Sequence, residues 1–277
     1  MQLSFLRDDS PPYELDPTKT YTKESITEIL RDIRRRGWFP NARPGNPGGV
    51  GNTLEDLLGI EENNIPLANA GEWELKCQRA ETTSLITLFH MEPSPRKARI
   101  VPRMLLPKYG WLHQEAGRRY PPGEMSFRQT ISGQSRSDRG FTVVVDRPSR
   151  KVLVSFDATT VDPRHSAWLA EVAERVGLGE LNPQPYWDFE GLLDKAEGKL
   201  RNCFFVQAQM KREEGLEYFH YDRILIMHSF SLDGFLGILE RGDLLIDFDA
   251  RTGHNHGTKF RLRQNKWPDL YGHVDEI

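Results

Sequence analysis

One short segment alternates between polar and nearly apolar side chains in the way that a half-buried β-strand requires. In residues 73–79, Glu74 and Lys76 are separated by one residue, and every second position around them is apolar or nearly so. Successive side chains of a strand point to opposite faces of a sheet, so the Glu74 carboxylate and the Lys76 ammonium are predicted to share one face. The opposite face, predicted to pack on a core, carries Trp73, Leu75 and Cys77.

A further acidic residue precedes this strand. Glu55 lies in a short run, residues 54–58, whose leucines predict a helix that ends near Gly59. Such a helix could bring a third polar group over the same strand face. Two or three carboxylates with a lysine are enough to hold a divalent metal against a phosphodiester and to activate a water molecule. Glu-x-Lys is also common on solvated strand faces, so this spacing alone is a weak indication of catalysis.

The residues around the tripeptide form an ordered series. A glycine-rich approach, a glutamate in the next helix, an Asn- and Pro-containing segment and Glu-x-Lys follow one another along the chain. This series resembles the MvaI/BcnI restriction endonuclease family, relatives of the mismatch-repair nicking enzyme MutH, over most of residues 25–265. The matching segments are Gly49–Glu55, Leu58-Gly59, Glu62–Asn64, Trp73–Lys76, Thr87–Phe89, Glu92-Pro93 and His254–Arg261.

The resemblance implies a restriction-endonuclease-like α/β fold, with a central mixed β-sheet flanked by helices and a β-rich DNA-recognition lobe. We expect an N-terminal arm at 1–20 and a single endonuclease domain at 21–277, with the catalytic lobe at about 21–110 and recognition-lobe elements at about 111–277. The family also implies a sequence-specific, Mg²⁺-dependent endonuclease for double-stranded DNA. Its members act as monomers, and a cognate DNA methyltransferase belongs to the same system.

The resemblance assigns candidate roles to five residues. The catalytic set is Glu55, Asn69, Glu74 and Lys76, and the metal ligands would be Asn69, Glu74 and the backbone carbonyl of Leu75. Lys76 would orient the attacking water and offset the charge that develops on the phosphorane. Glu55 would help to place either the waters of the metal or Lys76.

One position departs from the family pattern. The wider PD-(D/E)xK nuclease group has an aspartate shortly before the Glu-x-Lys strand, whereas residues 65–71 contain no acidic residue. Asn69 is closest to that aspartate in shape, but a neutral amide binds Mg²⁺ far more weakly than a carboxylate. We therefore expect a catalytically impaired form, in which the metal loses its central anionic ligand. Glu72 is a less suitable substitute, available only if the strand register shifts.

Composition indicates a folded intracellular protein. With 277 residues, 38% hydrophobic and 28% charged, the chain can form one sizeable α/β domain. No run approaches the length of a membrane span, and the first residues lack the features of a secretory signal. Cys77 and Cys203 have neither metal-ligand spacing nor a disulfide framework, which fits a reducing, cytoplasmic location. A net charge of −3 excludes a globally basic DNA binder but allows a local positive cleft.

The segment Arg251–Gly257 places one arginine and two histidines on a predicted loop flanked by glycines. A zinc site needs three or four ligands, and the possible partners His220 and His273 do not stand at a motif spacing. Arginine reads guanine edges and neutral imidazole donates or accepts, so a loop that enters a DNA groove is the better interpretation; a solvated surface turn is the alternative. The candidate DNA-binding residues are Asn52, Arg79, Arg251, His254, His256, Lys259, Arg261 and Arg263.

Periodicity and turn signals predict the remaining elements. A capping box at Ser25–Glu28 opens a helix that runs to about Arg36, and the glycine- and proline-rich residues 41–52 form a loop, placed beside the DNA by the resemblance. The other predicted helices cover 189–199 and 231–240. The other predicted strands cover 84–89, 99–105, 126–131, 141–146, 151–157, 203–211, 223–230, 244–248 and 258–263.

Three functions remain open at this stage. The first is the site-specific endonuclease. The second is a MutH-like nicking enzyme of DNA repair, which shares the active site but needs a partner protein to trigger it. The third is a DNA-binding module that has lost catalysis, an alternative that the missing aspartate favours.

Overall fold

The computed structural model describes residues 22–46, 48–59, 73–80, 85–200 and 202–277. Their fold is mixed α/β, as predicted. They form two compact units: unit 1 holds the described residues of Met1–Thr82, Arg201–Ser229 and His273–Ile277, and unit 2 those of Thr83–Leu200 and Phe230–Gly272. The catalytic lobe was placed at about 21–110, whereas unit 1 takes residues from three separate stretches. The single domain over 21–277 stays a prediction.

The helices and strands are numbered in chain order. The α-helices are α1 Lys23–Arg36, α2 Gly49–Leu57, α3 Leu106–Tyr109, α4 Ser166–Val176, α5 Phe189–Leu200 and α6 Leu232–Glu240. The strands are β1 Trp38–Pro40, β2 Trp73–Arg79, β3 Leu85–His90, β4 Trp111–Leu112, β5 Met125–Ile131, β6 Phe141–Asp146, β7 Lys151–Phe156, β8 Tyr186–Asp188, β9 Asn202–Glu213, β10 Leu216–Phe230, β11 Leu244–Arg251, β12 His254–Arg263 and β13 Tyr271–Glu276.

Unit 1 is built on a sheet with the strand order β1-β10-β9-β2, in which β13 also pairs with β10. Strands β9 and β10 form an antiparallel hairpin, and β2 runs parallel to β9. The strands predicted at 203–211 and 223–230 both continue into the polar run between them, and only Glu214 and Gly215 remain in the turn. Both turn residues have positive φ, at 52° and 81°, which lets two long strands reverse tightly.

Helix α1 has the predicted apolar stripe, with Ile26, Leu30 and Ile33 buried against the sheet of unit 1. Its start differs from the prediction. The N-cap is Thr22, whose hydroxyl accepts a hydrogen bond from the Ser25 N–H at 3.2 Å, while the Ser25 hydroxyl accepts from the Thr22 N–H at 2.9 Å. Serine therefore closes the capping box in the role usually taken by Glu or Gln, and the helix begins before Ser25.

Helix α2 begins at Gly49, inside the segment predicted as a loop. Glycine has low helix propensity, which favoured the loop prediction. The packing overrides that propensity, because Val50 joins Leu54 and Leu58 in a buried stripe with helical spacing. Tyr221 of β10 fixes this first turn, since its buried hydroxyl donates to the Val50 carbonyl at 2.9 Å.

Unit 2 contains an antiparallel sheet with the order β3-β12-β11-β5-β4 and a smaller one with the order β6-β7-β8. The predicted hairpin, the strands at 84–89 and 126–131 and the helices at 189–199 and 231–240 are all present, with shifts of one or two residues at their ends. The predicted strand at 99–105 is wrong. This segment is helical, a wide turn at Val101–Leu105 that continues into α3.

The histidine-rich segment is also more regular than predicted. Strand β12 begins at His254, so only Thr252 and Gly253 form the turn after β11. Gly253 has a φ of 71°, which suits this reversal. The helices of the described residues include none that is long and apolar enough to cross a membrane.

Candidate active site

The alternation predicted for residues 73–79 is present in β2. Trp73, Leu75 and Cys77 lie on the face that packs against the helices of unit 1. Glu74 and Lys76 lie on the other face, where Glu74 Oε1 and Lys76 Nζ are 2.5 Å apart and the two side chains are 33% and 32% exposed. A carboxylate and an ammonium are therefore held together where solvent can still reach both.

The register with β9 shows what surrounds this ion pair. Glu74 stands opposite Cys203 and Lys76 opposite Phe205, and both neighbours are buried. Side chains in register on adjacent strands share a face, so the ion pair borders an apolar surface. Apolar neighbours lower the local dielectric and strengthen the attraction between the two charges.

Gln78 continues the polar row of Glu74 and Lys76 toward the end of β2. It is 5% exposed, and its Oε1 has no hydrogen-bond partner among the described residues. The sequence interpretation did not include this residue, because a single glutamine on a strand carries no motif. The continued alternation along β2 was the available signal.

Glu55 lies in α2, which packs against β2. Burial raises the pKa of the Cys77 thiol, and the Glu55 carboxylate raises it further. The Glu55 carboxylate thus acts on a side chain of the core-facing side of β2. That the Glu55 carboxylate also lies beside the Glu74–Lys76 pair stays a prediction.

A short segment before α2 holds that helix along one side. The Ala42 N–H donates to Thr53 Oγ1 at 3.1 Å, and an Arg43 Nη2 donates to Asp56 Oδ1 at 3.2 Å. Asn41 packs against Gly49, where a Cβ would lie 2.8 Å from the Asn41 Oδ1. The three contacted helix positions are spaced by four and three residues, so they share one face of α2.

Glu217 of β10 connects this segment to the end of β2. Its Oε2 accepts from Asn41 Nδ2 at 2.8 Å and from Arg79 Nη2 at 3.1 Å. The Arg79 guanidinium also lies 5.6 Å from the centre of the Phe219 ring. Arg79, a predicted DNA contact, is therefore in an intramolecular network at the far end of β2.

Asn52 lies in the second turn of α2 and is half-buried. Asn69 and Glu72 lie outside the described residues. Among the residues that are described, no group of three or more His, Cys, Asp or Glu side chains is placed to hold a metal ion.

In unit 2, Arg251 is held by two contacts. Its Nη1 lies 3.0 Å from Glu124 Oε1, and its guanidinium stands 4.8 Å from the centre of the Tyr120 ring. Glu124 is 5% exposed, so the carboxylate is a fixed point rather than a mobile surface charge. Two such contacts limit the rotamers of Arg251 before any ligand binds.

His254 and His256 lie close together at the start of β12. Their ring centres are 4.3 Å apart in an edge-to-face arrangement, and both residues are exposed. Strand geometry explains the contact, because residues two apart point to the same face.

The basic residues of β12 are each paired with an aspartate, a feature that the sequence interpretation missed. The alternation of aspartates in residues 243–249 was the signal that could have revealed it. The pairs are Lys259–Asp249 at 3.2 Å, Arg261–Asp247 at 3.5 Å and Arg263–Asp243 at 3.6 Å. The predicted DNA-binding cations of this strand thus stand in an ordered array of alternating charge.

Comparison with known proteins gives a family and two similar structures. A model of the MvaI/BcnI restriction endonuclease family matches residues 27–271. A complex of restriction endonuclease MvaI with cognate DNA substrate has a TM-score of 0.63 and 25% sequence identity, covering 91% of this chain and 97% of that chain. MvaI in the absence of DNA has a TM-score of 0.58 and 23% identity, covering 91% and 96%. None of the curated proteins matches the chain.

Proposed function

The chain belongs to the MvaI/BcnI restriction endonuclease family, and we propose that it cleaves double-stranded DNA by Mg²⁺-dependent hydrolysis at β2. Family membership makes it a type II restriction endonuclease, a site-specific DNA nuclease. The observation that carries the proposal is the contact of 2.5 Å between Glu74 and Lys76 on an accessible strand face. An acidic metal ligand beside a cation can place a metal ion against a phosphodiester and compensate the charge that develops during hydrolysis.

We propose Asn69, Glu74 and the carbonyl of Leu75 as the metal ligands. The Glu74 side chain supports this, because it offers hard oxygen donors and is 33% exposed. The chemistry that Mg²⁺ supplies when bound is a lowered pKa of coordinated water and compensation of the charge on the phosphate. Oxygen donors are the ligand type that this cation prefers.

Lys76 is proposed to orient the attacking water and to offset the charge on the phosphorane. Its ammonium has three donor hydrogens, so it can contact Glu74 and still donate to a water or to a phosphate oxygen. A cation already fixed at the site needs little reorganisation when negative charge develops. Glu55 is proposed to assist from α2, by placing water or Lys76.

The proposed DNA contacts lie mainly in unit 2. MvaI has been solved with its cognate DNA, which supports DNA as the ligand of this family member as well. Arginine and histidine side chains provide hydrogen bonds for base edges and phosphates. The proposed contacts are Arg251, His254, His256, Lys259, Arg261 and Arg263, together with Asn52 and Arg79 of unit 1.

Asn69 favours a second candidate function, a DNA-binding protein with little or no cleavage. The amide would weaken metal binding at the position where the wider nuclease group has a carboxylate. The two functions differ in one measurable property, because only the endonuclease gains activity when the carboxylate is restored.

The test is cleavage of a supercoiled plasmid of mixed sequence in Mg²⁺ by the unsubstituted chain and by Asn69→Asp. We expect Asn69→Asp to raise the cleavage rate at least roughly 100-fold, since metal ions contribute several kcal/mol to such reactions. Asn69→Asp combined with Lys76→Met is the matched control, and it should lose the gained activity. Sequencing of the product ends would give the recognition site.

Three outcomes separate the alternatives. Linear DNA with discrete ends supports the endonuclease. Plasmid that accumulates only as open circles favours a MutH-like nicking enzyme. Binding of plasmid without any cleavage, even by Asn69→Asp, contradicts the proposal and selects the DNA-binding module.

We further propose a cytoplasmic protein that acts as a monomer alongside a cognate DNA methyltransferase. The recognition sites of a restriction enzyme must be protected by methylation in any compartment where the enzyme meets cellular DNA. The molar mass in solution, measured by light scattering with and without a duplex, tests the monomer.

A further inference from the structure

Gln78 is the one residue of the polar row on β2 that the proposed chemistry leaves without a role. It is 5% exposed, and its Oε1 has no hydrogen-bond partner among the described residues. A buried amide oxygen without a partner is unfavourable, so a donor that can reach it is expected.

The neighbouring cations of the sheet differ in whether they are placed to donate a hydrogen bond to Gln78 Oε1. Arg79 points to the opposite face, where Glu217 and the Phe219 ring hold it. Arg223 donates to Gln207 Oε1 at 3.3 Å and to Glu276 at 3.1 Å. Lys76 is next to Gln78 in the polar row of β2, on the same face and two residues away, which is about 6.6 Å along a strand.

We propose that Gln78 is a positioning residue for Lys76. Its Oε1 accepts a hydrogen bond from the Lys76 ammonium when the Glu74 carboxylate binds another partner. This inference rests on the proposed function, in which Glu74 binds the metal. A neutral acceptor suits the role, because it holds the ammonium without cancelling its charge. The cation then stays available for the water and the phosphate.

The inference can be tested without metal or activity. In a Glu74→Ala background, Lys76 has lost its carboxylate partner. A double-mutant cycle of Lys76→Met and Gln78→Met, measured by urea unfolding, should then show a coupling of roughly tenfold in the folding equilibrium constant, the size of a hydrogen bond to a charged group. The same cycle with Glu74 present should show a smaller coupling.

Gln207→Met provides the matched control. Gln207 stands beside Gln78 in the register of β9, but its oxygen already accepts from Arg223. Its cycle with Lys76→Met should be additive within about twofold. Additive behaviour of the Lys76 and Gln78 pair in the Glu74→Ala background would overturn the inference.

A kinetic measurement covers the case in which the Glu74→Ala chain does not fold. In the Asn69→Asp chain, Gln78→Met should lower kcat about tenfold without changing KM, and Gln78→Asn, which keeps a neutral acceptor oxygen, should lose less. Equal losses in both variants, or a change in KM alone, would contradict a role through Lys76. Loss of all cleavage by the Asn69→Asp parent would instead count against the proposed function, and the unfolding cycle would still decide the role of Gln78.

Discussion

Asp249 shows how one carboxylate can hold the cations of two neighbouring strands in place. Its carboxylate lies 2.6 Å from Arg128 Nε and 3.2 Å from Lys259 Nζ, and 16% of the side chain is exposed. Burial alone would raise the pKa of Asp249, but the hydrogen bonds and charges of Arg128 and Lys259 lower it below the ordinary value. The folded protein therefore favours the ionised carboxylate more than the unfolded chain does.

The lowered pKa of Asp249 predicts that the stability of the folded protein depends on pH. Because the folded pKa is depressed, the carboxylate contributes stability that is present above the ordinary Asp pKa of 3.8 and is lost as the pH falls through the lowered value. Asp249→Asn should cost about 1–2 kcal/mol at pH 7, and the difference from the unsubstituted chain should shrink as the pH falls below about 4. Urea unfolding at a series of pH values measures it.

Asp233→Asn is the control for this measurement. The Asp233 side chain is 90% exposed and reaches Arg147 only at 3.4 Å, so its replacement should change stability little at any pH. A stability difference for Asp249→Asn that stays constant from pH 7 to pH 3 would contradict the role of the ionised carboxylate.

Single residues of the site were predictable to different degrees. The shared strand face of Glu74 and Lys76 was predictable because an alternating pattern fixes which residues point to the same side of a strand. The aspartates of residues 243–249 indicate that the cations of β12 face carboxylates, but they do not give the individual partners, because pairing between strands depends on a register that one strand does not encode. Gln78 was missed because a single glutamine on a strand carries no motif.

At the scale of elements, α2 shows how packing outweighs local propensity. Gly49 and Gly51 disfavour a helix, yet the helix contains both. The two glycines differ in their surroundings. A Cβ at Gly49 would lie 2.8 Å from the Asn41 side chain, whereas a Cβ at Gly51 would have nothing within 4 Å.

This difference gives opposite expectations for two otherwise identical substitutions. Gly51→Ala should stabilise the protein by about 0.5–1 kcal/mol, because alanine loses less backbone freedom in a helix. Gly49→Ala should destabilise it by about 1–3 kcal/mol, because Asn41 is fixed by Glu217 and cannot move aside without losing a hydrogen bond of 2.8 Å. Urea unfolding of the two variants compares them directly.

The combination with Asn41→Ala identifies the cause. Removing the Asn41 amide should leave room for the new methyl group, so Gly49→Ala should cost much less in that background. A loss that is unchanged in the double variant would show that the clash with Asn41 is not responsible.

Elements were predictable where periodicity is strong and neighbours agree with it. Strand β2, the hairpin of β6 and β7 and helix α1 belong to this group. The segment at residues 99–105 misled the prediction because it is short, basic and contains a proline. Its buried residues Ile100, Val101, Met104 and Leu105 have helical spacing that becomes clear only when burial is known.

At the scale of the whole molecule, the residues proposed for cleavage and most of those proposed for DNA recognition lie in different units. The Glu74–Lys76 pair is in unit 1, and the array of β11 and β12 is in unit 2. Sequence order did not reveal this division, because unit 1 is completed by β9, β10 and β13 from late in the chain. Cleavage and recognition should accordingly respond to different substitutions.

The division predicts separable effects on DNA binding. Arg251→Ala and His256→Ala should weaken binding to the recognised sequence roughly 10- to 100-fold, the size of a lost base contact, with a smaller effect on unrelated duplexes. The fixed Arg251 guanidinium, held by Glu124 at 3.0 Å, is suited to such a contact.

Lys76→Met should remove cleavage while leaving both affinities within about threefold, because a cation near the scissile phosphate contributes little to discrimination between sequences. Arg147→Ala is the control in unit 2, since Arg147 is exposed and bound to Glu240 at 3.0 Å. Titrations at one salt concentration, with specific and unrelated duplexes in Ca²⁺, measure all four variants. Equal losses on both duplexes for Arg251→Ala and His256→Ala would refute base readout and leave these residues as phosphate contacts.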